Sequence, residues 1–568
     1  MTEIEKITEW KIAKEFIKNN KTLFTLHTLC LLNIPLKEIL IPALVGILYN
    51  LIRKGVKKNI ILLTFIIFII SCIVQSIDVF ADYLDAKLFP IMQKETRLLI
   101  LEHLFKINEN NFSEISGGLI LTHIVRFPWN LYEYMSSWLN SFAPSIIKII
   151  FLVIYFLLIK WQLAVLITIV LVYYVILCHK SFGKCTQVSV DRDAKVNVIY
   201  GNVEDTLTNL KTVFTFNNTL HEVNRIAEPE KVYMETTVKT KMCTVTPKVF
   251  LILSLFIFSL IVILGNLNIL PIWNLNDMSK GTVIGILIIV YTTYFSGLQQ
   301  IRALKDVIFN YGPIQSTLKI LNDYKLQHEV DTTPYVSEES DPETGIYLNN
   351  VSFKYNEKSP IVLDNVTMHI PKNRTTLIIG KIGSGKSTLI NLILKYNVPN
   401  KGHILIDSDS YSTISNEFIR NKISHVNQHP IFFNRSIYDN IVYGINGITR
   451  EYVEGMIDNM GLTEFFDTTF SEGIDSNVGM RGSKLSGGQK QLISLIKMMI
   501  LRPEYLLLDE PTSAMDVKTI DHAIKLIKEL SQYSTIIIVT HDLSLHELAD
   551  NIFFVKNGTV SKMPSKTT

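Results

Sequence analysis

Gly380-Lys381-Ile382-Gly383-Ser384-Gly385-Lys386-Ser387-Thr388 is the stretch on which the reading of this chain turns. It follows an apolar run, Leu377 to Ile379, and leads into a helix expected to start near Lys386. Glycines let the backbone fold tightly around phosphates, and the free N–H groups at a helix start point toward an anion. Lys386 is placed to neutralise β- and γ-phosphates, and Ser387 to offer its hydroxyl to Mg²⁺. Gly380, Gly383, Ser384, Gly385 and Thr388 complete the cradle. A pattern of this kind can arise by chance; the strand before it and the helix behind it are the context that a phosphate loop requires.

Downstream, Tyr505-Leu506-Leu507-Leu508-Asp509-Glu510 ends an apolar strand in two carboxylates. Asp509 is expected to hold Mg²⁺ through water, and Glu510 to polarise the attacking water as general base. Two acids at a strand end are ordinarily just solvated, but beside a phosphate loop that reading loses. Lys484-Leu485-Ser486-Gly487-Gly488-Gln489 is a second glycine-rich turn entering a helix, suited to a second anion. Within one chain it is redundant. It makes sense if it faces the nucleotide held by a partner subunit. From about Ile346 onward short apolar strands alternate with helices, as in an α/β domain.

Upstream the character changes. The chain has 568 residues, of which 48% are hydrophobic and only 19% charged. That balance suits a protein whose first part lies in lipid. The net charge of +3 is close to neutral and gives no reason to expect a nucleic-acid partner. A spanning helix needs about 20 mostly apolar residues to cross about 30 Å of hydrocarbon. Six candidates precede residue 310: Leu23 to Leu51, Ile60 to Asp78, Leu139 to Leu158, Leu163 to Leu177, Val249 to Leu264 and Val283 to Leu298. Buried soluble helices would not supply so many uninterrupted runs.

The long gaps, between spans two and three and between four and five, are polar and helical in pattern, as in Lys94 to Lys106 and Lys195 to Leu210. An even number of crossings puts both gaps and both termini on one side. Their Lys and Arg content makes that side cytoplasmic. Arg53, Lys54, Lys57 and Lys58 dissent, since they fall in a loop that this topology places outside. No cleavable signal peptide is read at the start. Residues 1–22 are expected to form an amphipathic helix at the membrane surface, with Trp10, Ile12, Phe16 and Ile17 on or near one side. An acidic stretch with Glu338, Glu339, Asp341 and Glu343 reads as a linker over 324–345. The domains expected are therefore 1–22, 23–323, 324–345 and 346–568, with no internal repeat.

Cys30, Cys72, Cys178, Cys185 and Cys243 contain no Cys-x-x-Cys pair, which excludes zinc-ribbon and thioredoxin readings. Free thiols are expected, with a Cys178–Cys185 pair as the alternative. Lys37, Glu38, Asp78, Asp82, Lys148 and Arg302 fall in or near the spans. Charges at membrane depth often line a pathway. Equally, Lys37 and Glu38 could neutralise each other, and Asp82 and Arg302 could lie in cytoplasmic extensions.

Together the motifs resemble the ATP-binding-cassette (ABC) transporter family, and the domain order resembles its exporter half-transporters. The resemblance covers the whole chain, most strongly residues 346–560, and residues 486–489 match the family's signature. It implies an α-helical six-span transmembrane domain plus an α/β P-loop ATP-binding-cassette domain, with ATP and Mg²⁺ as cofactors. It implies a second half-transporter as partner, an identical copy being sufficient, together with membrane lipid and an unidentified cargo.

By the same resemblance, Tyr355 stacks on adenine, Gln428 senses Mg²⁺ and links to the membrane helices, and the Ser513–Asp516 loop, with Asp516, crosses to the partner's site. His541 contacts the γ-phosphate, and the segments Asn110–Gly117 and Leu210–Thr219 are coupling helices. Two positions depart from the family: Met480 stands where an acid usually precedes Arg481-Gly482, which puts a polar contact to the membrane domain in doubt, and Asn427 stands where proline is common. An ATP-gated channel or membrane regulator on the same fold is the alternative function; a pump alone requires turnover, and Glu510, Lys386 and His541 favour it. A soluble protein is excluded by the spans, and an importer is disfavoured by the fusion of the two parts.

Overall fold

The computed structural model describes residues 7–107, 117–269, 275–322 and 344–563. The chain divides into two compact units, Met1–Lys325 and Leu326–Thr568.

The first unit is helical. It contains α1 (Glu9–Asn19), α2 (Lys21–Cys30), α3 (Ile41–Lys54), α4 (Lys57–Ile107), α5 (Gly117–Ser137), α6 (Ala143–Ile159), α7 (Trp161–Thr208), α8 (Leu210–Thr215), α9 (Thr219–Met242), α10 (Val245–Asn266) and α11 (Lys280–Asn322). Among the described residues six helical stretches are long and apolar enough to cross a membrane: Lys21–Lys54, Lys57–Lys106, Ile120–Ile159, Trp161–Thr208, Thr219–Asn266 and Lys280–Asn322. Each contains one of the expected spans. Several run far beyond it, because the polar gaps continue the same helices instead of forming separate ones. Lys94–Lys106 belongs to α4, and 195–208 to α7. Of the two expected coupling segments, Leu210–Thr219 contains the short α8, whereas 110–116 lies outside the described residues.

Prolines shape the joints. Wide π-turns at Leu36–Leu40 and Trp138–Phe142 each come just before a proline, Pro42 and Pro144. A proline supplies no N–H and crowds the preceding turn, so the ladder opens to an i→i−5 bond there. The first π-turn aims its charges at different neighbours. Lys37 Nζ lies 2.6 Å from Asp78 Oδ2 on α4, and Glu38 pairs with the buried Lys148 of α6. Mutual neutralisation of Lys37 and Glu38 is therefore corrected: adjacent residues on a helical turn point apart, and each finds a partner on another helix.

The other departures concern cysteines and the N-terminal helix. Cys185 and Cys243 form a disulfide, while Cys30, Cys72 and Cys178 are free. The expectation of free thiols fails for that pair, which is 58 residues apart in sequence and adjacent only because α7 returns through α8 and α9. In α1, Ile12 and Phe16 are buried against Leu88, Met92 and Leu131, but Trp10 is 71% exposed on the opposite side. Its spacing of two and six residues from them places it there on a 3.6-residue helix.

The second unit carries two sheets. β1 (Gly345–Phe353), β2 (Leu363–Pro371), β4 (Lys401–Ile406) and β5 (Asp409–Ser410) form an antiparallel sheet in the order β2-β1-β4-β5. β3 (Thr375–Gly380), β6 (Ile423–Val426), β7 (Tyr505–Asp509), β8 (Thr535–Thr540), β9 (Asn551–Lys556) and β10 (Thr559–Lys562) form the other, in the order β10-β9-β3-β8-β7-β6. All its pairs are parallel except β10 with β9. The helices are α12 (Lys386–Ile393), α13 (Asn416–Lys422), α14 (Ile437–Val442), α15 (Arg450–Asn459), α16 (Thr463–Thr469), α17 (Gly487–Leu501) and α18 (Val517–Leu530). Tyr505 to Leu508 and Ile536 to Ile538 are fully buried, as expected of parallel strands covered on both faces. They separate two apolar clusters, one containing Leu506 and Leu508, the other Tyr505 and Leu507.

Candidate functional site

Parallel strands that are neighbours in the sheet end on the same side, and ligands of open α/β sheets bind outside those carboxyl ends. Here β3, β8, β7 and β6 are consecutive. Their ends deliver Gly380, His541, Asp509 with Glu510, and, two residues past Val426, Gln428. The topology thus gathers residues separated by up to 161 positions in sequence, from Gly380 to His541.

The glycine-rich loop joins β3 to α12. Gly383 and Gly385 have φ of +78° and +110°, and Gly385 precedes α12 as its N-cap. A Cβ on Gly385 would come within 2.8 Å of Leu363, and one on Gly380 within 2.4 Å of the Val555 carbonyl. The loop can therefore close only without side chains there. Lys386 Nζ donates to the carbonyls of Gly380 at 2.7 Å and Lys381 at 3.1 Å, so the ammonium lies back over the loop. Ser384 Oγ is buried without a hydrogen-bond partner. An orphaned hydroxyl in a glycine cradle fits a phosphate oxygen as its missing partner. Thr388 is buried, and its Oγ1 is 3.0 Å from the hydroxyl of Tyr355. That bond fixes a half-exposed ring, which also stands edge-on to Phe353 at 5.1 Å.

The carboxylates differ in environment. Burial, and then the neighbouring Glu510 charge, push Asp509 up to about 6, against the pull of Lys386 and His429. A carboxylate held up in this way is primed for a cation. Mg²⁺ usually takes only one or two protein carboxylates and completes its shell with phosphate and water. Asp509, the exposed Ser387 hydroxyl and the side chain of Gln428 are the groups that would hold it. Glu510 is buried, with φ +50°, and its two oxygens are occupied: Oε1 is 2.7 Å from His541 Nδ1, and Oε2 accepts from Thr540 Oγ1 at 3.2 Å. His541 thus meets the Glu510 carboxylate. Sequence reasoning did not assign Thr540; its place immediately before His541 was the available signal.

The second glycine turn opens α17, with Ser486 and Gly487 exposed. Ser486 caps α17 by accepting from Gln489 N at 3.2 Å, while Gln489 Oε1 accepts from Ser486 N at 2.7 Å. This reciprocal box leaves the helix start exposed. A Cβ on Gly487 would lie 2.8 Å from Ala514 Cβ, and one on Gly488 3.0 Å from the Ala514 carbonyl, so these glycines are required by the Ser513–Asp516 loop packed against them. Asp516 Oδ1 accepts from Thr519 N at 2.8 Å and starts α18. Met480 is 75% exposed, and Arg481 beside it has φ +52°.

A phosphate cradle, a carboxylate pair and a histidine on adjacent strand ends define a nucleotide hydrolase, here in one chain with six membrane-length helices. The comparisons say which one. The ABC transporter family matches residues 363–513, and the ABC transporter transmembrane region matches residues 36–298. The chain belongs to the ABC transporter family, in the exporter arrangement of one membrane region fused to one ATPase domain. It is 25% identical over 531 residues to a putative export ATP-binding/permease protein of Rickettsia typhi, covering 90% of this chain and 88% of that one. It is 23% identical over 550 residues to an uncharacterized ABC transporter ATP-binding protein, YwjA, of Bacillus subtilis, covering 96% and 94%. Among solved structures it resembles a bacterial Atm1-family ABC exporter with ATP bound, with a TM-score of 0.79 at 20% identity over 96% of this chain and 95% of that one. It is a multi-pass membrane protein that couples ATP hydrolysis to export across a membrane.

Proposed function

We propose that this chain is half of a homodimeric exporter whose ATP is hydrolysed at two composite sites, each made from one copy's phosphate loop and the other copy's Ser486 turn. The observation that carries this reading is that one chain has two glycine-rich helix starts, Gly385 opening α12 and Ser486 opening α17, the second with Ser486 and Gly487 exposed. A helix start with free N–H groups favours negative charge. Two copies give each such group a phosphate to meet.

In this reading Lys386 and the loop amides bind the β- and γ-phosphates, Tyr355 stacks on adenine, and Mg²⁺ would neutralise developing charge between phosphate oxygens. Glu510 accepts the proton of the attacking water. His541 and Thr540 hold its carboxylate in place, and His541 reaches the γ-phosphate. Phosphoryl transfer asks the protein mainly for position and charge. ATP favours the closed pair because each nucleotide bridges subunits, and hydrolysis removes the bridge. The ATPase domain and N-terminus face the cytoplasm, where ATP is. Lys37, in the π-turn Leu36–Leu40, and its partner Asp78 on α4 are the proposed cargo-pathway charges.

Wild type and Glu510→Gln, purified in lipid, test the scheme. The variant should lose turnover by at least about a hundredfold while still closing with ATP. Equal turnover in the two proteins would remove Glu510 from its role. Neutralising Lys37 or Asp78 should alter stimulation of the ATPase by a verified cargo; unchanged stimulation would remove them from the pathway.

A further inference from the structure

Gln491 lies on α17, two residues beyond the capping Gln489, and is 1% exposed. Its Nε2 donates to the carbonyl of Glu510 at 2.9 Å and to the carbonyl of Gln428 at 3.2 Å. One amide thus joins the backbone of the candidate base, at the end of β7, to the backbone of the candidate Mg²⁺-sensing residue beyond β6.

The backbone at Glu510 needs such support. A non-glycine residue at φ +50° is held in a sparsely populated conformation. It persists where several contacts determine it. Glu510 N donates to the Val539 carbonyl at 2.8 Å, and its own carbonyl accepts from Gln491 and from Ser513 Oγ at 3.1 Å. Among the described residues, only the Gln491 contact also reaches the Gln428 segment. The amide cannot be turned round, since its oxygen would then face two carbonyl oxygens.

A packing role does not account for this residue. Gln491 Oε1 is buried with no hydrogen-bond partner. An unsatisfied buried polar atom is costly to stability. Met or Leu would fill the same space on α17 without that cost.

We propose that Gln491 is a positioning residue that ties the Gln428 segment to Glu510, so that displacement of one re-aims the carboxylate of the other. The proposal rests on Glu510 as general base. Gln491→Met and Gln491→Leu both keep roughly the side-chain size and remove the donor. In the full-length protein in lipid, each should lower kcat by at least about tenfold while KM for ATP stays within about twofold. Lys497→Met is the control: it removes a donor to the Asn440 carbonyl at 3.2 Å from the same helix and should leave both constants unchanged.

Thermal protection by ATP reports whether each variant is folded, and if Gln491→Met fails that check, Gln491→Leu decides. Normal kcat in a folded Gln491 variant, with Glu510→Gln inactive, would overturn the positioning role alone. Normal turnover by Glu510→Gln would overturn the base assignment and this proposal together. A matched loss of kcat in Lys497→Met would show a general effect of weakening α17 and would also overturn it.

Discussion

At the scale of single residues, Asp509 and Lys148 have the most exacting environments. Burial pushes Asp509 up to about 6 from an ordinary value of 3.8. Ionisation is therefore harder in the native than in the unfolded chain, and above about pH 6 the native state carries that cost in full. The cost disappears as pH falls from about 6 toward 3.8. Asp509→Asn should accordingly raise the melting temperature of nucleotide-free protein by a few degrees at neutral pH, with a gain that shrinks in acid, and should abolish Mg²⁺-dependent hydrolysis. Lys148 is 3% exposed and paired with Glu38. Lys148→Met leaves a partly buried carboxylate alone and should cost about 2–3 kcal/mol, whereas adding Glu38→Gln should recover most of it. Thermal unfolding of the single and double variants in lipid measures this. The motif residues were legible in sequence because phosphate chemistry fixes their types and spacing. The partners of Lys37, Glu38 and Lys148 were not, because a helix's neighbours across the bilayer are not written in its own period.

At the scale of elements, α3 and α11 pack backbone to backbone. A Cβ on Gly281 would lie 2.2 Å from the Gly46 carbonyl and 2.3 Å from Asn50 Cγ, and Asn50 Oδ1 accepts from Gly281 N at 2.8 Å. Small residues allow such approach between membrane helices. Gly281→Ala should therefore lower stability by about 1–3 kcal/mol. Gly183→Ala, where a Cβ on α7 meets nothing within 4 Å, should raise it by up to about 1 kcal/mol. Thermal unfolding of the two variants side by side checks the contrast. The Cys185–Cys243 bond closes a loop of 58 residues carrying α8 and α9. Loop-closure entropy makes it worth about 4 kcal/mol. Alkylation of denatured, unreduced protein should label Cys30, Cys72 and Cys178 only, and Cys185→Ser should lower the unfolding midpoint. Helix existence could be read from hydropathy. That α4 and α7 run unbroken from span into polar gap could not, because a helical pattern does not show whether a turn interrupts it.

At the scale of the whole molecule, composite sites make a distinctive prediction. Lys386→Ala disables a chain's phosphate loop, and Ser486→Arg disables its outward turn. Homodimers of either variant have no intact site. A mixed dimer places both lesions in one site and leaves the other whole. Random pairing of equal amounts should therefore recover about a quarter of wild-type ATPase from two inactive proteins, as expected for a two-fold interface. Absence of recovery in verified mixed dimers would count against the shared site.

The sequence by itself determined the chemistry and the class. Phosphate binding requires glycines, a lysine and a hydroxyl in one short run, and a bilayer requires long apolar helices, so both leave local signatures. Only the tertiary structure decided which groups meet across the chain. The strand order places Glu510 against His541 and Thr540, and Gln491 across two carbonyls. The return of α9 beside α7 joins Cys185 to Cys243. Such contacts depend on how separate elements pack, and packing is set by shape and burial summed over many residues, which no single stretch encodes.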